Sequence, residues 1–427
     1  MPRLAPAADL RLHHPAFPDG LTRDDLVAWY RRTRERTRSL FAIPREESYH
    51  SRPIELRNPI VFYDGHLPAF AVNTLVKLAQ SRPGIDGAME KLFERGIDPK
   101  DASLAGDHAT WPSRSEVEAY VLAAETLVEN SLMNLSGRPI EIEAAGTILE
   151  HELMHQETFI YLLHNLPLEM KHRNESAPGA PAPTSITVNE RIRIAAGMTT
   201  LGAPPDRFGW DNEFPAHRVA VDEFAIDRLN VTNGEYLEFM RETGSAAPHF
   251  WVQRDGEWYW RGMFNVAPLP VATPVFVTHD QAEAFAAWRG RRLPSEVEYH
   301  RAAFATPEGL ERSYPWGEAT PAAQHGNFDL RQWDPTPVGS HPAGASAWGV
   351  HDLVGDGWEW TATRFRGFPG FEPMPTYPAY SADFFDGAHF VLKGASLATP
   401  RELIRASFRN WFRPGYPYLY GKLRLAG

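Results

Sequence analysis

The spacing of hydrophobic residues divides the chain into a helical first half and a second half of short strands and loops. Between Thr22 and about Asn165, apolar residues recur at spacings of three and four, which is the pattern of amphipathic helices. Four long helices are predicted there: Asp24 to Phe41, Pro59 to Ser81, Arg114 to Asn134 and Pro139 to His164. Four helices of this length favour a helical bundle.

The segment from Asn174 to Ser185 has no hydrophobic periodicity and is rich in Pro, Ala and Ser, the composition of an extended linker. We therefore predict a first domain over residues 1–174, a linker over 175–186 and a second domain over 187–427. Around this linker and beyond it, short apolar runs between Gly- and Pro-rich turns predict strands at Ile186 to Val188, Arg191 to Ala195, His217 to Phe224 and Phe390 to Lys393. One helix is predicted among them, Asp280 to Arg289. The predicted fold class is α+β with two domains.

Charge and composition exclude several classes of function. The formal net charge of the 427 residues is −11 and no long block of Lys and Arg occurs, which argues against a nucleic-acid partner. No apolar run approaches the roughly 18 residues of a membrane span, and the first residues lack a signal-peptide pattern, so we expect a cytoplasmic protein without a membrane partner. The absence of cysteine excludes disulfides, metal thiolates and any thiol borne by the enzyme.

The strongest local motif is His151-Glu-Leu-Met-His155, inside the last predicted helix. A separation of four residues places two helical side chains about 40° apart around the axis and one turn apart along it, so both imidazoles can reach one ion. Glu152 points about 100° away from His151 by the same geometry. The motif therefore predicts a metal site with His151 and His155 as two ligands.

The same letters match the zinc-protease signature H-E-x-x-H, in which the Glu is the general base. One protease branch needs Gly and His where this chain has Thr158 and Tyr161. Another needs a later Glu ligand, for which Glu175, in the Pro/Ala-rich segment, is the obvious candidate. A zinc hydrolase is therefore the less favoured alternative.

An open metal site needs a third ligand from another helix. The first half offers His50, His66 and His108. We prefer His66, because Pro59 can begin a helix and aromatic residues flank the histidine. The predicted metal ligands are therefore His66, His151 and His155.

Ordered motifs in the second half resemble the formylglycine-generating-enzyme-like (sulfatase-modifying-factor) domain. They are Arg291-Arg-Leu-Pro-Ser-Glu-Val-Glu298-Tyr, Tyr314-Pro-Trp-Gly317, Gly326-Asn-Phe328, Trp348-Gly-Val-His-Asp-Leu353, Gly357-Trp-Glu-Trp360 and Gly421-Lys-Leu-Arg-Leu-Ala426. The first half resembles the DinB-like bundle of the sulfoxide synthases of ergothioneine and ovothiol biosynthesis, through Arg57 to Phe70 and His151 to Glu157. The selenoneine synthases look similar in this two-domain architecture.

This resemblance implies a DinB-like four-helix bundle and a C-type-lectin-like second domain whose loops, within residues 355–415, cap the metal. It also implies Fe(II) as the cofactor and a reaction that uses dioxygen to join sulfur or selenium to the imidazole of hercynine or histidine. The partners are then small molecules, namely the imidazole substrate, a thiol or selenium donor and O2. A monomer or a small homo-oligomer is expected.

The resemblance also implies residues that bind substrate. Asn410 is expected at the imidazole, and Trp411, Phe412 and Phe371 are aromatic candidates for a quaternary ammonium, which has no hydrogen-bond donor and prefers aromatic faces. Trp358 and Trp360 are interpreted as core residues instead. Tyr377 and Tyr380 are the candidates for a catalytic donor of a proton or an electron.

Three positions depart from the ergothioneine pattern, and the first is Pro68, two residues after His66 in a stretch otherwise predicted as helix. Met154 replaces a Gln that often holds the imidazole, and Phe412 replaces an acidic residue associated with glutamylcysteine, which favours cysteine or a selenium donor. Two other interpretations stay open. A formylglycine-generating oxidase is disfavoured because that chemistry needs enzyme cysteines. A lectin-like binding module with a vestigial bundle would not need three converging histidines.

Overall fold

The computed structural model describes residues 11–94, 111–172 and 189–427. The predicted linker, the predicted strand Ile186 to Val188, His108 and Glu175 lie outside these residues. The chain divides into two compact units. Unit 1 comprises Met1–Asn174, Asp206–Phe208 and Met374–Pro378, and unit 2 comprises Glu175–Pro205, Gly209–Pro373 and Ala379–Gly427. A short segment from late in the sequence thus belongs to the helical unit.

Unit 1 contains the four predicted long helices. A hairpin of β1 (Leu12–His14) and β2 (Phe17–Leu21) precedes α1 (Arg23–Phe41), α2 (Ile60–Ala71), α3 (Gly87–Leu92), α4 (Arg114–Met133) and α5 (Pro139–Asn165). The predicted single helix from Pro59 to Ser81 is in fact α2 followed by a π-helical stretch, Val72–Ala79. Pro68 lies inside α2. The short helix α3 was not predicted.

Local sequence sets the ends of the long helices. Thr22 caps α1 and Ser113 caps α4, each through a reciprocal capping box with the acidic residue three positions later. Pro139 occupies the first turn of α5, where a missing N–H leaves no bond unmade. Helices α1 and α2 each pack against both α4 and α5, so the four helices form a bundle in which α5 is buried along most of its length.

Unit 2 is mixed helix and sheet. Its strands are β3 (Arg191–Ile194), β4 (Gly197–Leu201), β5 (His217–Val221), β6 (Phe224–Asp227), β7 (Trp251–Arg254), β8 (Glu257–Arg261), β9 (Val266–Pro268), β10 (Gly357–Arg364), β11 (Phe390–Ala395), β12 (Asn410–Phe412) and β13 (Gly421–Lys422). The largest sheet has the order β12-β11-β10-β13, antiparallel except for the parallel β10–β13 pair. The smaller sheets are β3-β6, β4-β5 and β7-β8-β9, all antiparallel.

Two expectations for the second half were wrong. The run from His217 to Phe224 is not one strand, because β5 ends at Val221 and β6 begins at Phe224, and the two strands pair with different partners. The predicted helix near Asp280 is α7 (His279–Trp288), but α6 (Asn233–Thr243) and α8 (Glu296–Phe304) accompany it. Both extra helices begin with a capping box that starts at a Thr or a Ser.

The core of unit 2 includes the two tryptophans of β10. Trp358 and Trp360 are fully buried, and the indole N–H of Trp360 donates to the carbonyl of Val277 at 2.9 Å. This burial confirms the prediction that both are core residues. Within the described part of the chain, no helix combines the length and the apolar character needed to cross a membrane.

Candidate metal centre

Three histidines of unit 1 come together between α2 and α5. One ring nitrogen from each of His66, His151 and His155 lies within 4.8 Å of the corresponding atoms of the other two. The ring centroids of His151 and His155 are 4.3 Å apart, and that of His66 is 5.2 Å and 5.0 Å from them. His66 and His151 are buried, whereas His155 is half-buried. The structure therefore brings together all three predicted ligands.

Aromatic rings hold the imidazoles in place. Phe62 stacks on His66 with a centroid distance of 4.9 Å, and Phe70 stacks on His151 at 3.5 Å with nearly parallel planes. Both phenylalanines lie on α2, one turn before and one turn after His66. The same helix thus supplies one histidine and the apolar walls of the cluster, which limit the access of water.

A hydrogen bond to the backbone fixes the orientation of the His66 ring. Its Nδ1 lies 2.8 Å from the carbonyl oxygen of Phe93. A carbonyl only accepts, so Nδ1 carries the proton and Nε2 keeps the lone pair that a metal needs. Gly65 makes this approach possible, because a Cβ there would lie 2.3 Å from the Phe93 ring.

The three imidazoles are suited to bind a cation. Burial lowers the pKa of His66 to about 4. Burial, together with the neighbouring histidines, lowers the pKa values of His151 and His155 well below the usual value. Both ring nitrogens of His151 and the Nδ1 of His155 are buried without a hydrogen-bond partner. Buried polar atoms normally have partners, so a metal ion fits this cluster.

The carboxylates of Glu152 and Glu157, near the two histidines of α5, accept hydrogen bonds from other side chains. The Oε1 of Glu152 accepts hydrogen bonds from Arg34 Nη1 at 2.9 Å and from the Thr37 hydroxyl at 2.5 Å, both on α1. Glu157 accepts from the hydroxyl of Tyr161. The general base that a zinc hydrolase would need from Glu152 is therefore held against α1, which argues against that alternative.

The rival ligand His50 does not join the cluster. It is exposed, and its Nε2 lies 3.0 Å from the carbonyl oxygen of Pro112. Among the described residues, one further group of potential ligands comes together, namely His279, Asp280 and Glu283 at the start of α7. Its two carboxylates are exposed, an arrangement that is common without a metal.

Of the two candidate tyrosines, Tyr377 lies in unit 1 beside the histidines. Its ring centroid is 5.2 Å from that of Phe70 and 6.2 Å from that of His151. Tyr380 belongs to unit 2, where it stacks on Trp210 at 4.0 Å. Two tyrosines that are three positions apart in sequence thus belong to different units.

The predicted substrate-binding residues of unit 2 lie on or near β12. Trp411 stacks on Phe365 at 4.2 Å, so that one of its faces is covered. The Oδ1 of Asn410 accepts from the backbone N–H of Trp411 at 2.9 Å. The remaining two also pack on aromatic neighbours of unit 2, Phe371 edge-on to Phe385 and Phe412 stacked on Tyr416. Their roles in binding substrate stay predictions, as does that of Met154, which is half-buried on α5 one position before His155.

Comparisons with known proteins identify the family. The model of the sulfatase-modifying factor enzyme 1-like domain matches residues 177–425, more than half of the chain. Hercynine oxygenase of Mycolicibacterium thermoresistibile is 34% identical, with 81% of this chain and 81% of that protein covered. The chain belongs to the hercynine oxygenase family.

Two further relatives agree with this assignment. Hercynine oxygenase of Mycobacterium tuberculosis is 37% identical over 65% of this chain and 70% of its own length. Ergothioneine biosynthesis protein 1 of Neurospora crassa is 28% identical over 88% of this chain and 54% of its own length. The domain match confirms the resemblance drawn from the motifs of the second half, and membership of the hercynine oxygenase family confirms the resemblance to the enzymes of ergothioneine biosynthesis.

Some contacts around the three histidines cannot be recognised from the sequence. The carbonyl of Phe93 orients His66 across 27 positions. Thr376 reaches across 233 positions to bond Glu143 on α5. Backbone acceptors and long-range polar contacts leave no periodic pattern. Gly65, directly before a predicted ligand, is a signal that another group approaches the backbone closely there.

Proposed function

We propose that this protein is an iron- and dioxygen-dependent oxygenase that forms a C–S or C–Se bond on the imidazole of hercynine, with histidine as the alternative substrate. The relatives named hercynine oxygenase support the substrate and the oxidative chemistry. The convergence of His66, His151 and His155 is the observation that carries the proposal. The proposal includes a DinB-like assignment for the bundle and a C-type-lectin-like one for unit 2.

In this proposal the three histidines bind Fe(II) as neutral ligands. His66 would bind through Nε2, because Phe93 holds the proton on Nδ1. Imidazole nitrogens suit iron among several divalent metals, and three ligands leave positions open for substrate and oxygen. Iron, when bound, supplies the activation of dioxygen. The phenylalanine rings beside His66 and His151 exclude water from one side of the site.

Tyr377 is the proposed catalytic tyrosine. Its ring lies against Phe70 and near His151, so its hydroxyl is the candidate to hold and deliver a proton at the reacting centre. Tyr380 is the weaker candidate, since Trp210 covers one of its faces. Asn410 is proposed to contact the imidazole, and the aromatic residues near it the trimethylammonium group, through cation–π contacts.

Metal loading tests the ligand set. Metal-free protein is loaded anaerobically with ferrous iron, and bound iron is counted by mass spectrometry. We expect one iron per wild-type chain, and loss of iron in His66→Ala, His151→Ala and His155→Ala. The matched control is His50→Ala, which removes an exposed histidine of the same unit and should keep the iron. A His151→Ala variant with wild-type iron content would refute the site.

Product analysis tests the reaction. Iron-loaded protein receives hercynine or histidine, each with cysteine, glutamylcysteine or a selenosugar, in the presence of O2. We expect a product whose mass shows that the imidazole has gained the donor's sulfur or selenium. Absence of such a product from every pair, with iron fully loaded, would contradict the proposed function while leaving the metal site intact.

A further inference from the structure

The segment that carries Tyr377 is fastened to α5 by a polar contact, here named the Thr376 latch, formed by Glu143, Thr147 and Thr376. The backbone N–H of Thr376 donates to Glu143 Oε1 at 2.9 Å, and its hydroxyl donates to the same oxygen at 2.7 Å. The hydroxyl oxygens of Thr376 and Thr147 are 3.1 Å apart. Thr376 is buried and Glu143 is half-buried, so these bonds are shielded from water on the side of Thr376.

The latch holds a segment that is already stiff. Proline follows Met374 and again follows Tyr377, and a residue before proline is restricted to extended conformations. The N–H of Tyr377 also donates to the carbonyl of Met374 at 3.2 Å. A stiff segment needs few contacts to become fixed, because it has little conformational entropy to lose.

The latch lies next to the residue that faces the histidines. Thr376 directly precedes Tyr377, and Glu143 lies eight positions before His151 on α5, about 12 Å along the axis. The ring of Phe70 contacts both Tyr377 and His151, and the Tyr377 and His151 centroids are 6.2 Å apart. The latch therefore ties the position of Tyr377 to the helix that carries two of the histidines.

We propose that Glu143 and Thr376 are positioning residues that hold Tyr377 at the metal centre. This inference rests on the proposed function for the role of Tyr377 in turnover, but the latch itself is tested without turnover. Glu143 acts through a single carboxylate oxygen, so an amide oxygen at the same place preserves both bonds.

The first experiment measures hydrogen exchange of the full-length, metal-free protein by mass spectrometry. Loss of the acceptor in Glu143→Ala should raise exchange in the peptide that spans 374–378 by about tenfold, the effect of a net hydrogen bond of ordinary strength. The matched control Glu143→Gln should exchange like wild type. Unchanged exchange in Glu143→Ala, or an equal rise throughout unit 1, would overturn the latch.

The second experiment compares steady-state kinetics of the iron-loaded variants. Because the proposed role of the latch is to orient Tyr377, Glu143→Ala should lower kcat by about tenfold with the KM for hercynine changed by less than about twofold. Glu143→Gln should rescue kcat. In a Tyr377→Phe background, Glu143→Ala should have no further effect, since the positioned hydroxyl is gone.

The two experiments separate the two hypotheses. Full turnover in Tyr377→Phe would overturn the role of Tyr377 in the proposed function, while the exchange data would still decide the latch. If Glu143→Ala keeps the wild-type kcat while Tyr377→Phe has a lowered kcat, the positioning role of Glu143 would be overturned. A lower kcat in the Glu143→Ala, Tyr377→Phe double variant than in Tyr377→Phe alone would also overturn this positioning role.

Discussion

Glu152, the acidic residue between the two histidines of α5, should be a structural anchor of the bundle. Its carboxylate lies 2.9 Å from Arg34 Nη1, with the two side chains only 3% and 2% exposed. Removing one partner of a buried ion pair costs about 3–5 kcal/mol, because the other charge stays buried without it. Arg34 keeps a second partner, Glu125 at 2.9 Å, so we expect the lower end, about 3 kcal/mol, for Glu152→Ala.

This loss should appear as a lower melting temperature of the metal-free protein. For a unit of this size, about 3 kcal/mol corresponds to roughly 6–12 °C, measurable by circular dichroism at the helix band. The matched control is Glu129→Ala, which removes an exposed ion pair with Arg31 between α1 and α4 and should cost less than about 1 kcal/mol. Equal melting temperatures for the two variants would refute the anchoring role of Glu152.

Four further outcomes follow from the site. Gly65→Ala should weaken iron binding by about 10–100-fold, because the new Cβ displaces Phe93, whose carbonyl orients His66; wild-type iron affinity would contradict this. In the metal-free protein the three histidines have pKa values below about 6.5, so the unfolded chain takes up protons that the folded chain does not. The free energy of unfolding should therefore fall as pH decreases from about 6.5 towards 4, by up to about 1.4 kcal/mol per pH unit for each histidine. Urea titrations at several pH values measure this slope, and His66→Gln should reduce it. Asn410→Ala should weaken hercynine more than the thiol or selenium donor, and unchanged kinetic constants for hercynine would reject that assignment. Met154→Gln should keep or tighten the binding of hercynine in equilibrium titrations, because the amide can satisfy a ring nitrogen that a thioether leaves to another group or to water.

The long helices of unit 1 could be predicted because each buries one face along many turns. The π-helical stretch after α2 could not, because its residues keep the same apolar spacing as an ordinary helix. The short helices α6 and α8 were missed although each begins with a capping signal, Thr232 with Glu235 and Ser295 with Glu298. Helices of two to three turns give little periodicity, so the capping box was the signal to use for α6 and α8, although α7 of similar length was predicted.

The convergence of the three histidines was easier to predict than the surroundings of the residues proposed to bind substrate. His151 and His155 lie one turn apart on a single helix, so their proximity follows from local geometry. His66 could be chosen over His50 because its neighbours are apolar and aromatic, which is the composition of a buried segment. The contrast between Tyr377 and Tyr380 could not be predicted, because it depends on Thr376 meeting a residue 233 positions away.

The contacts of three consecutive residues of α5 indicate what the glutamate of the H-E-x-x-H pattern does in this bundle. Successive helical side chains point about 100° apart, so Glu150, His151 and Glu152 face three different neighbours. Glu150 accepts a hydrogen bond from His14 Nε2 at 2.6 Å, since the Nδ1 of His14 accepts from the backbone N–H of Ala16.

The β-hairpin thus holds α5 on one side, and α1 holds it on another through Arg34 and Glu152. With its rotation fixed at both flanks, α5 presents His151 and His155 towards His66. Such preorganisation favours metal binding, because fewer side chains must be ordered when the ion enters. We therefore interpret Glu152, the glutamate of the H-E-x-x-H pattern, as a residue that holds α5 in position and not as a general base.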